Sequence, residues 1–259
     1  MLAIISPAKR LDFDSPVATR KHSLPVFLNE SKQLISVLRG KAPHELSKLM
    51  GISDDLAHLN VDRYQTWSTP FDRSNARPAV LAFKGDVYLG LEAERFSERD
   101  FTWAQKHLRI LSGLHGILKP LDLIQPYRLE MGTQLKTSKG ANLYEFWGDK
   151  VTNELSEALE KEARPTLINL ASNEYYNVVD ADGLKRRTGA RIVTPKFLEK
   201  KNGRYMFVSF TAKKARGLMT SYFIHERVST MKKLKAFDWD DYQFCEERSQ
   251  GDDWVFTRG

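Results

Sequence analysis

The sequence predicts an α/β protein of mixed α+β type, with one body in which helices flank a mixed β-sheet. Short apolar and β-branched runs alternate irregularly with amphipathic segments, a pattern that favours a sheet covered by helices. The chain has 259 residues, of which 41% are hydrophobic and 28% are charged. That composition supports a buried core and excludes a disordered chain, so we expect a single domain over residues 1–259.

Seven runs, each bounded by proline, glycine or charged residues, have the length and composition of strands. The predicted strands are Leu2–Ser6, Ala79–Phe83, Leu108–Leu111, Thr166–Ala171, Ala190–Thr194, Tyr205–Phe210 and Trp254–Thr257.

Six segments have the apolar spacing of amphipathic helices. The predicted helices are Val26–Leu38, His44–Met50, Ser53–Trp67, Phe101–His107, Lys150–Ala163 and about Thr211–Leu234. The helical segment at about residues 43–67 lies between Gly40 and Pro70, and we expect it to form a hairpin that stands somewhat apart from the main body.

Composition also restricts where the protein works. Cys245 is the single cysteine, so no intrachain disulfide forms, and its neighbours Glu246 and Glu247 disfavour a reactive thiolate. No apolar stretch approaches the length of a membrane span, and the first residues lack the basic region of a secretory signal. We expect a cytoplasmic protein without a membrane partner.

The positive charge is concentrated late in the chain. Residues 185–235 contain fifteen Lys and Arg and only Glu199 and Glu226 as acids, whereas the other residues carry 25 basic and 31 acidic side chains. Such an excess suits a polyanionic partner. The alternative is a solvated basic surface that is balanced by the acidic residues after position 237.

Residues Leu46–Leu59 have the spacing of a helix-hairpin-helix. The small residues Gly51 and Ser53 would let the turn approach a nucleic-acid backbone, while Ile52 would pack between the helices. Free amides at the start of the second helix would bind a phosphate, and Lys48 would add a positive charge. Against this, Asp54 and Asp55 repel phosphate, so an ordinary helical hairpin with Ser53 as its N-cap is the alternative.

A second candidate nucleic-acid surface lies at the start of the last long predicted helix. At 100° per residue, Lys213, Arg216 and Gly217 share one face with Thr220, and Lys214 lies beside them. Such a face would hold phosphates by charge without reading bases. A solvated basic helix is the alternative.

A third candidate is a cleft for a small anionic substrate. It would bring together Lys9, Lys84, Arg128 and Glu174, with Glu174 at a strand-to-helix corner of the kind where open α/β sheets bind ligands. This keeps an enzyme as the alternative function. No dinucleotide fingerprint, phosphate loop, metal-ligand motif or nucleophile elbow occurs, so we assign no catalytic residue, metal or cofactor.

Several strings along nearly the full length together resemble the YaaA family of bacterial peroxide-stress proteins. The matching strings are Ile5–Lys9, Phe83–Tyr88, Leu111–Gly116, Pro120–Gly132, Asn169–Tyr175 and Phe210–Gly217. The resemblance implies a cytoplasmic protein of the hydrogen-peroxide response, linked to lowering free iron. It also implies a single α/β body with a helix-hairpin-helix, which matches Met50–Ala57 here, and binding of duplex or branched DNA.

We therefore expect a DNA-binding stress protein that contacts phosphates with little sequence readout and needs no cofactor or obligate protein partner.

Overall fold

A computed structural model describes residues 1–259, and its centre is one mixed sheet of eight strands. The twelve strands of the chain are β1 Leu2–Ile5, β2 Arg10–Leu11, β3 Arg77–Pro78, β4 Phe83–Lys84, β5 Leu108–Ser112, β6 Gly116–Leu118, β7 Leu123–Ile124, β8 Thr166–Leu170, β9 Arg191–Lys201, β10 Arg204–Met206, β11 Gln243–Phe244 and β12 Asp253–Arg258. The main sheet has the order β11-β12-β9-β8-β1-β5-β6, and β10 pairs with β9. β2 pairs with β4 and β3 with β7 outside it.

Helices connect and cover these strands. They are α1 Leu28–Arg39, α2 Pro43–Met50, α3 Asp54–Thr66, α4 Ala79–Ala82, α5 Asp86–Leu91, α6 Glu98–His107, α7 Leu143–Trp147, α8 Lys150–Leu159, α9 Asn173–Tyr176, α10 Ala181–Thr188, α11 Ser209–His225 and α12 Met231–Lys235. The α/β class with helices around a mixed sheet is thus confirmed. No helix combines the length and apolar character needed to span a bilayer.

Strands β5, β1, β8, β9 and β12 run parallel and lie side by side in that order. Every residue of β1, β5 and β8 is buried, as expected for parallel strands covered by helices on both faces. Antiparallel β6 and β11 close the two edges.

The helical hairpin does not stand apart from the body. Leu46 of α2, Ile52 of the turn, and Ala57 and Tyr64 of α3 belong to the same cluster of 69 buried residues as the central strands. Burial of these side chains attaches the hairpin to the main core, which corrects the expectation of a separate helical element.

Helices α5 and α11 pack closely through a pair of glycines. A Cβ on Gly217 would lie 1.8 Å from the Val87 carbonyl oxygen, and one on Gly90 would lie 2.1 Å from that of Lys214. Gly217 therefore serves the approach of α5 to α11. Gly217 was expected on the exposed phosphate-binding face of this helix, and its contact with α5 corrects that expectation.

Three predicted elements take another form. Ala79–Phe83 was expected as a strand, but Ala79–Ala82 forms the short helix α4, because a run of four fully buried apolar residues fits either structure. The long predicted helix ends at His225, since Arg227 has a left-handed φ of 49° and Thr230 caps a new helix, α12. Tyr205–Phe210 divides between β10 and the start of α11.

Candidate functional site

The parallel strands define one place where a ligand site is expected. After β1 the chain adds β5 on one side, and it then crosses to add β8, β9 and β12 on the other side. The order therefore reverses between β1 and β8, and open α/β sheets bind ligands beyond the carboxyl ends of strands at such a reversal.

Two serines join the loops at this reversal. Ser6 follows β1, and its hydroxyl accepts the Ser172 backbone N–H at 2.9 Å and lies 3.2 Å from the Ser172 hydroxyl. Ser172 follows β8 and precedes α9. The Tyr88 hydroxyl donates to the Ser6 carbonyl at 3.1 Å, which ties α5 to the same point.

A cluster of charges lies beside the serines. Glu130 Oε1 is 3.0 Å from Arg128 Nη2 and 3.3 Å from Lys9 Nζ, and the Arg128 and Glu130 side chains are both largely buried. Neither Arg128 Nε nor Glu130 Oε1 has a hydrogen bond of good geometry, although both are buried. Two cations thus share one carboxylate, and buried polar atoms remain without a hydrogen-bond partner.

The loop 126–132 forms one side of the cleft. A Cβ on Gly113 would lie 2.2 Å from the Leu129 carbonyl oxygen, so the loop packs directly on the turn after β5. Glu174 Oε1 accepts the Gly132 N–H at 3.2 Å, which fastens the other end of the loop to α9. The cavity between Pro7–Lys9, residues 127–130 and Tyr175 has a volume of about 10 Å³, which is room for about one water molecule. It is far smaller than pockets for drug-sized molecules, which span about 300–1,000 Å³.

Of the four predicted cleft residues, Lys9 and Arg128 therefore line this cavity, and Glu174 on α9 contacts the loop that forms it. Lys84 does not join them. Its Nζ lies 3.0 Å from Asp12 Oδ2 in a neighbouring cavity, where hydrogen bonds from Ser15 and Lys84 lower the pKa of the Asp12 carboxyl.

The turn between α2 and α3 combines a left-handed residue with a helix N-cap, as an ordinary helical hairpin also does. Gly51 ends α2 with a φ of 61°, and a Cβ there would meet no atom within 4 Å. Ile52 and Ala57 are buried, as expected for residues that pack the two helices together. Ser53 caps α3, where its hydroxyl accepts the Leu56 N–H. The backbone amides of Ser53, Asp54 and Asp55 have no acceptor within the chain.

Helix α3 connects this turn to the cleft. Near its other end the Tyr64 hydroxyl donates to the Arg128 carbonyl oxygen. Burial lowers the pKa of Arg63, and the positive charge of Arg128 lowers it further. Lys9 and Arg128 thus pair with Glu130 at the opposite end of α3 from the turn, and Arg63 lies close enough to Arg128 for their positive charges to interact.

The predicted basic face of α11 is less free than its sequence indicates. Lys213 Nζ lies 3.8 Å from Asp86, and Lys214 Nζ lies 3.6 Å from Asp240. Arg216 has no carboxylate within ion-pair distance, and burial lowers its pKa. Thr220, on the same predicted face, is fully buried.

The basic segment 185–235 is also dispersed over five elements, α10, β9, β10, α11 and α12. Seven of its fifteen basic side chains form ion pairs. The pairs are Arg186–Asp180, Arg191–Asp252, Lys196–Asp253, Lys213–Asp86, Lys214–Asp240, Arg227–Asp100 and Lys233–Glu226. Acids from the C-terminal region therefore neutralise part of the field that the segment alone would produce.

Sequence reasoning did not select Ser6, Arg63, Glu130 or Ser172 as site residues. Ser6 and Ser172 stand close after β1 and β8. Because open α/β sheets bind ligands beyond the carboxyl ends of strands where the strand order reverses, knowledge of that order would have identified both serines. Arg63 and Glu130 reach the cleft through long-range packing, for which the sequence contains no local signal.

Fold and site together define an α/β protein with a charged cleft at the reversal of its parallel sheet and a helical hairpin beside it. The family model described as "Peroxide stress protein YaaA" matches residues 1–248, and the chain belongs to this family. Over 258 residues, the chain is 54% identical to a UPF0246 protein of Teredinibacter turnerae and 52% identical to one of Saccharophagus degradans. Each comparison covers 100% of this chain and 99% of the relative.

Proposed function

We propose that the protein binds duplex or branched DNA through phosphate contacts. The observation that carries this proposal is the exposed turn between α2 and α3, where three neighbouring amides have no acceptor. Backbone amides at the start of a helix, together with the helix dipole, are suited to bind a phosphate. Open space above Gly51 lets a sugar-phosphate backbone come close to them.

The position of the turn relative to the cleft supports contact with more than one phosphate. Eleven residues separate Ser53 from Tyr64, which corresponds to roughly 16 Å along an α-helix. Lys9 and Arg128 therefore lie about that distance from the turn, so a duplex that contacted both places would do so at different phosphates. Lys48, exposed on α2, adds a cation at the near end.

Two variants that change the charge near the turn in opposite directions test the contact there. Lys48→Glu should weaken binding, while Asp55→Asn should strengthen it because one repulsive charge is removed. Lys185→Glu is the matched control, since Lys185 is an exposed helical lysine without an ion pair on α10. A labelled duplex and a four-way junction are titrated with each variant at several salt concentrations.

For each phosphate neutralised on duplex DNA, log affinity should fall by about 0.9 for each unit of log salt concentration. Lys48→Glu should reduce that slope by about one phosphate, and Lys185→Glu should leave it unchanged. A salt-independent affinity, or equal effects of the two charge reversals, would refute the proposal.

A cleft that acts on a small anionic substrate is the second candidate. It is supported by Arg128 Nε, a buried donor without a hydrogen-bond partner. To test this candidate, the protein is titrated with inorganic phosphate and with simple carboxylates, and the heat of binding is measured by calorimetry. Saturable binding that is lost in Arg128→Met but kept in Lys48→Glu would favour the cleft over the hairpin.

We also propose that DNA binding is how the protein acts in the hydrogen-peroxide response, with lower free iron as a consequence. The test is chelatable iron after peroxide treatment in cells whose own copy is replaced by Lys48→Glu or Lys185→Glu. The proposal expects higher free iron with Lys48→Glu only. Equal iron levels in the two strains would contradict it.

A further inference from the structure

The hairpin formed by β9 and β10 lies at the end of the sheet that carries the cleft. β9 pairs with β8 only up to Val193, and beyond it β9 pairs with β12 as far as Glu199 and, over its last residues, with β10. β8 itself ends at Leu170, so about six residues of β9 extend beyond it, or roughly 20 Å at the rise of a strand. Because β9 and β8 are parallel, this extension lies at the carboxyl end of the sheet.

Three large apolar side chains are exposed where the hairpin leads into α11. Met206 is 48% exposed, Phe207 60% and Phe210 55%. None of the three packs against the hydrophobic core, and neither phenylalanine contacts another aromatic ring. Single exposed apolar residues are common, but three within five residues indicate a surface that is covered by a partner.

The same hairpin carries cations that are not neutralised by the protein. Lys200, Lys201 and Arg204 are exposed and form no ion pair, while the nearby Glu199 is bound to Arg258. Arg204 lies directly opposite Lys201 in the antiparallel register. Like charges in that position destabilise a strand pair, and a bound anion would relieve the repulsion.

We propose that this platform, consisting of Lys201, Arg204, Phe207 and Phe210, binds single-stranded nucleic acid. Unpaired bases stack on the two phenylalanine rings and the phosphates lie against the two cations, which is how sequence-tolerant single-strand sites work. The inference rests on the proposed DNA binding and extends it to the unpaired strand of a branched substrate. An anionic membrane is disfavoured because membrane-surface segments are amphipathic helices with a broad apolar face, not a short hairpin.

The experiment compares the double variant Phe207→Ala/Phe210→Ala with the wild type. The probes are a 20-nucleotide single strand with 2-aminopurine at its centre and a blunt duplex of the same length. Leu24→Ala/Val26→Ala is the matched control, because both side chains are 53% exposed and lie outside the platform. Loss of base stacking should weaken single-strand binding about tenfold for each phenylalanine.

The expected result is that 2-aminopurine fluorescence is quenched by the wild type and by the control, and that quenching is lost in the phenylalanine variant. Duplex affinity should stay within twofold in all three proteins. Unchanged single-strand affinity and quenching in the phenylalanine variant would overturn the platform. So would a variant that loses binding only to vesicles of anionic lipid. Failure of the wild type to bind the duplex would instead refute the proposed function at the α2–α3 turn.

Discussion

The contact between α5 and α11 allows a quantitative test through Gly217→Ala. In an exposed helix this change normally stabilises by about 1 kcal/mol, because alanine is the better helix former. Here the added Cβ would lie 1.8 Å from the Val87 carbonyl oxygen, and the closest tolerable distance is about 3.0 Å. The two helices must therefore separate by about 1.2 Å. We expect a net loss of about 1–3 kcal/mol, since overpacking outweighs the gain in propensity.

Thermal unfolding followed by circular dichroism measures this loss. For a chain of this size, each kcal/mol lowers the Tm by about 2–4 °C. Gly40→Ala is the control, since its Cβ would have only an ordinary contact of 3.6 Å with the Val37 carbonyl oxygen. It should shift the Tm by less than about 2 °C. If Gly217→Ala were as stable as wild type, the close packing of α5 on α11 would be refuted.

Three further substitutions test charged side chains by urea unfolding. Burial raises the pKa of the Asp122 carboxyl to about 6. The native state then binds more protons than the unfolded state between about pH 4 and pH 6, and this carboxyl's contribution to stability is lost as pH rises through that window. Relative to Asp122→Asn, the wild type should lose about 3 kcal/mol between pH 4 and pH 7, and parallel pH profiles would contradict this. In the cleft, Arg128→Met should cost about 3 kcal/mol because Glu130 loses its buried partner. Lys9→Met should cost less than about 1 kcal/mol because its side chain is 65% exposed, and equal costs would show that the two cations hold Glu130 alike.

The sequence predicts those elements whose patterns are strong and local. The buried strands at Leu2, Leu108 and Thr166, and the helices before and after Gly51, lie close to their predicted bounds. The run Ala79–Phe83 failed because its apolar residues carry no periodicity, and only tertiary hydrogen bonds from Ala79 and Val80 to the loop around Asp122 fix its form.

The candidate sites also divide into features set by local sequence and features set by contacts between distant residues. The turn at Gly51 depends on a left-handed residue and an N-cap, which are local features, so its geometry could be predicted from the sequence. The basic segment 185–235 could not be placed in space, because Asp86, Asp240 and Asp252 approach it from distant parts of the chain. Glu130 shows the same limit, since its neighbour Lys9 lies 121 positions earlier in the sequence.

Amide NMR of the turn between α2 and α3 tests the proposed phosphate contact most directly. A ¹⁵N-labelled protein is titrated with a short duplex, and the shifts of all backbone amides are recorded. We predict that the amides of Ser53, Asp54 and Asp55 shift most, and that Lys48→Glu reduces those shifts at equal duplex concentration. If the duplex binds while these three amides stay unchanged, the turn makes no phosphate contact and the proposed function is contradicted.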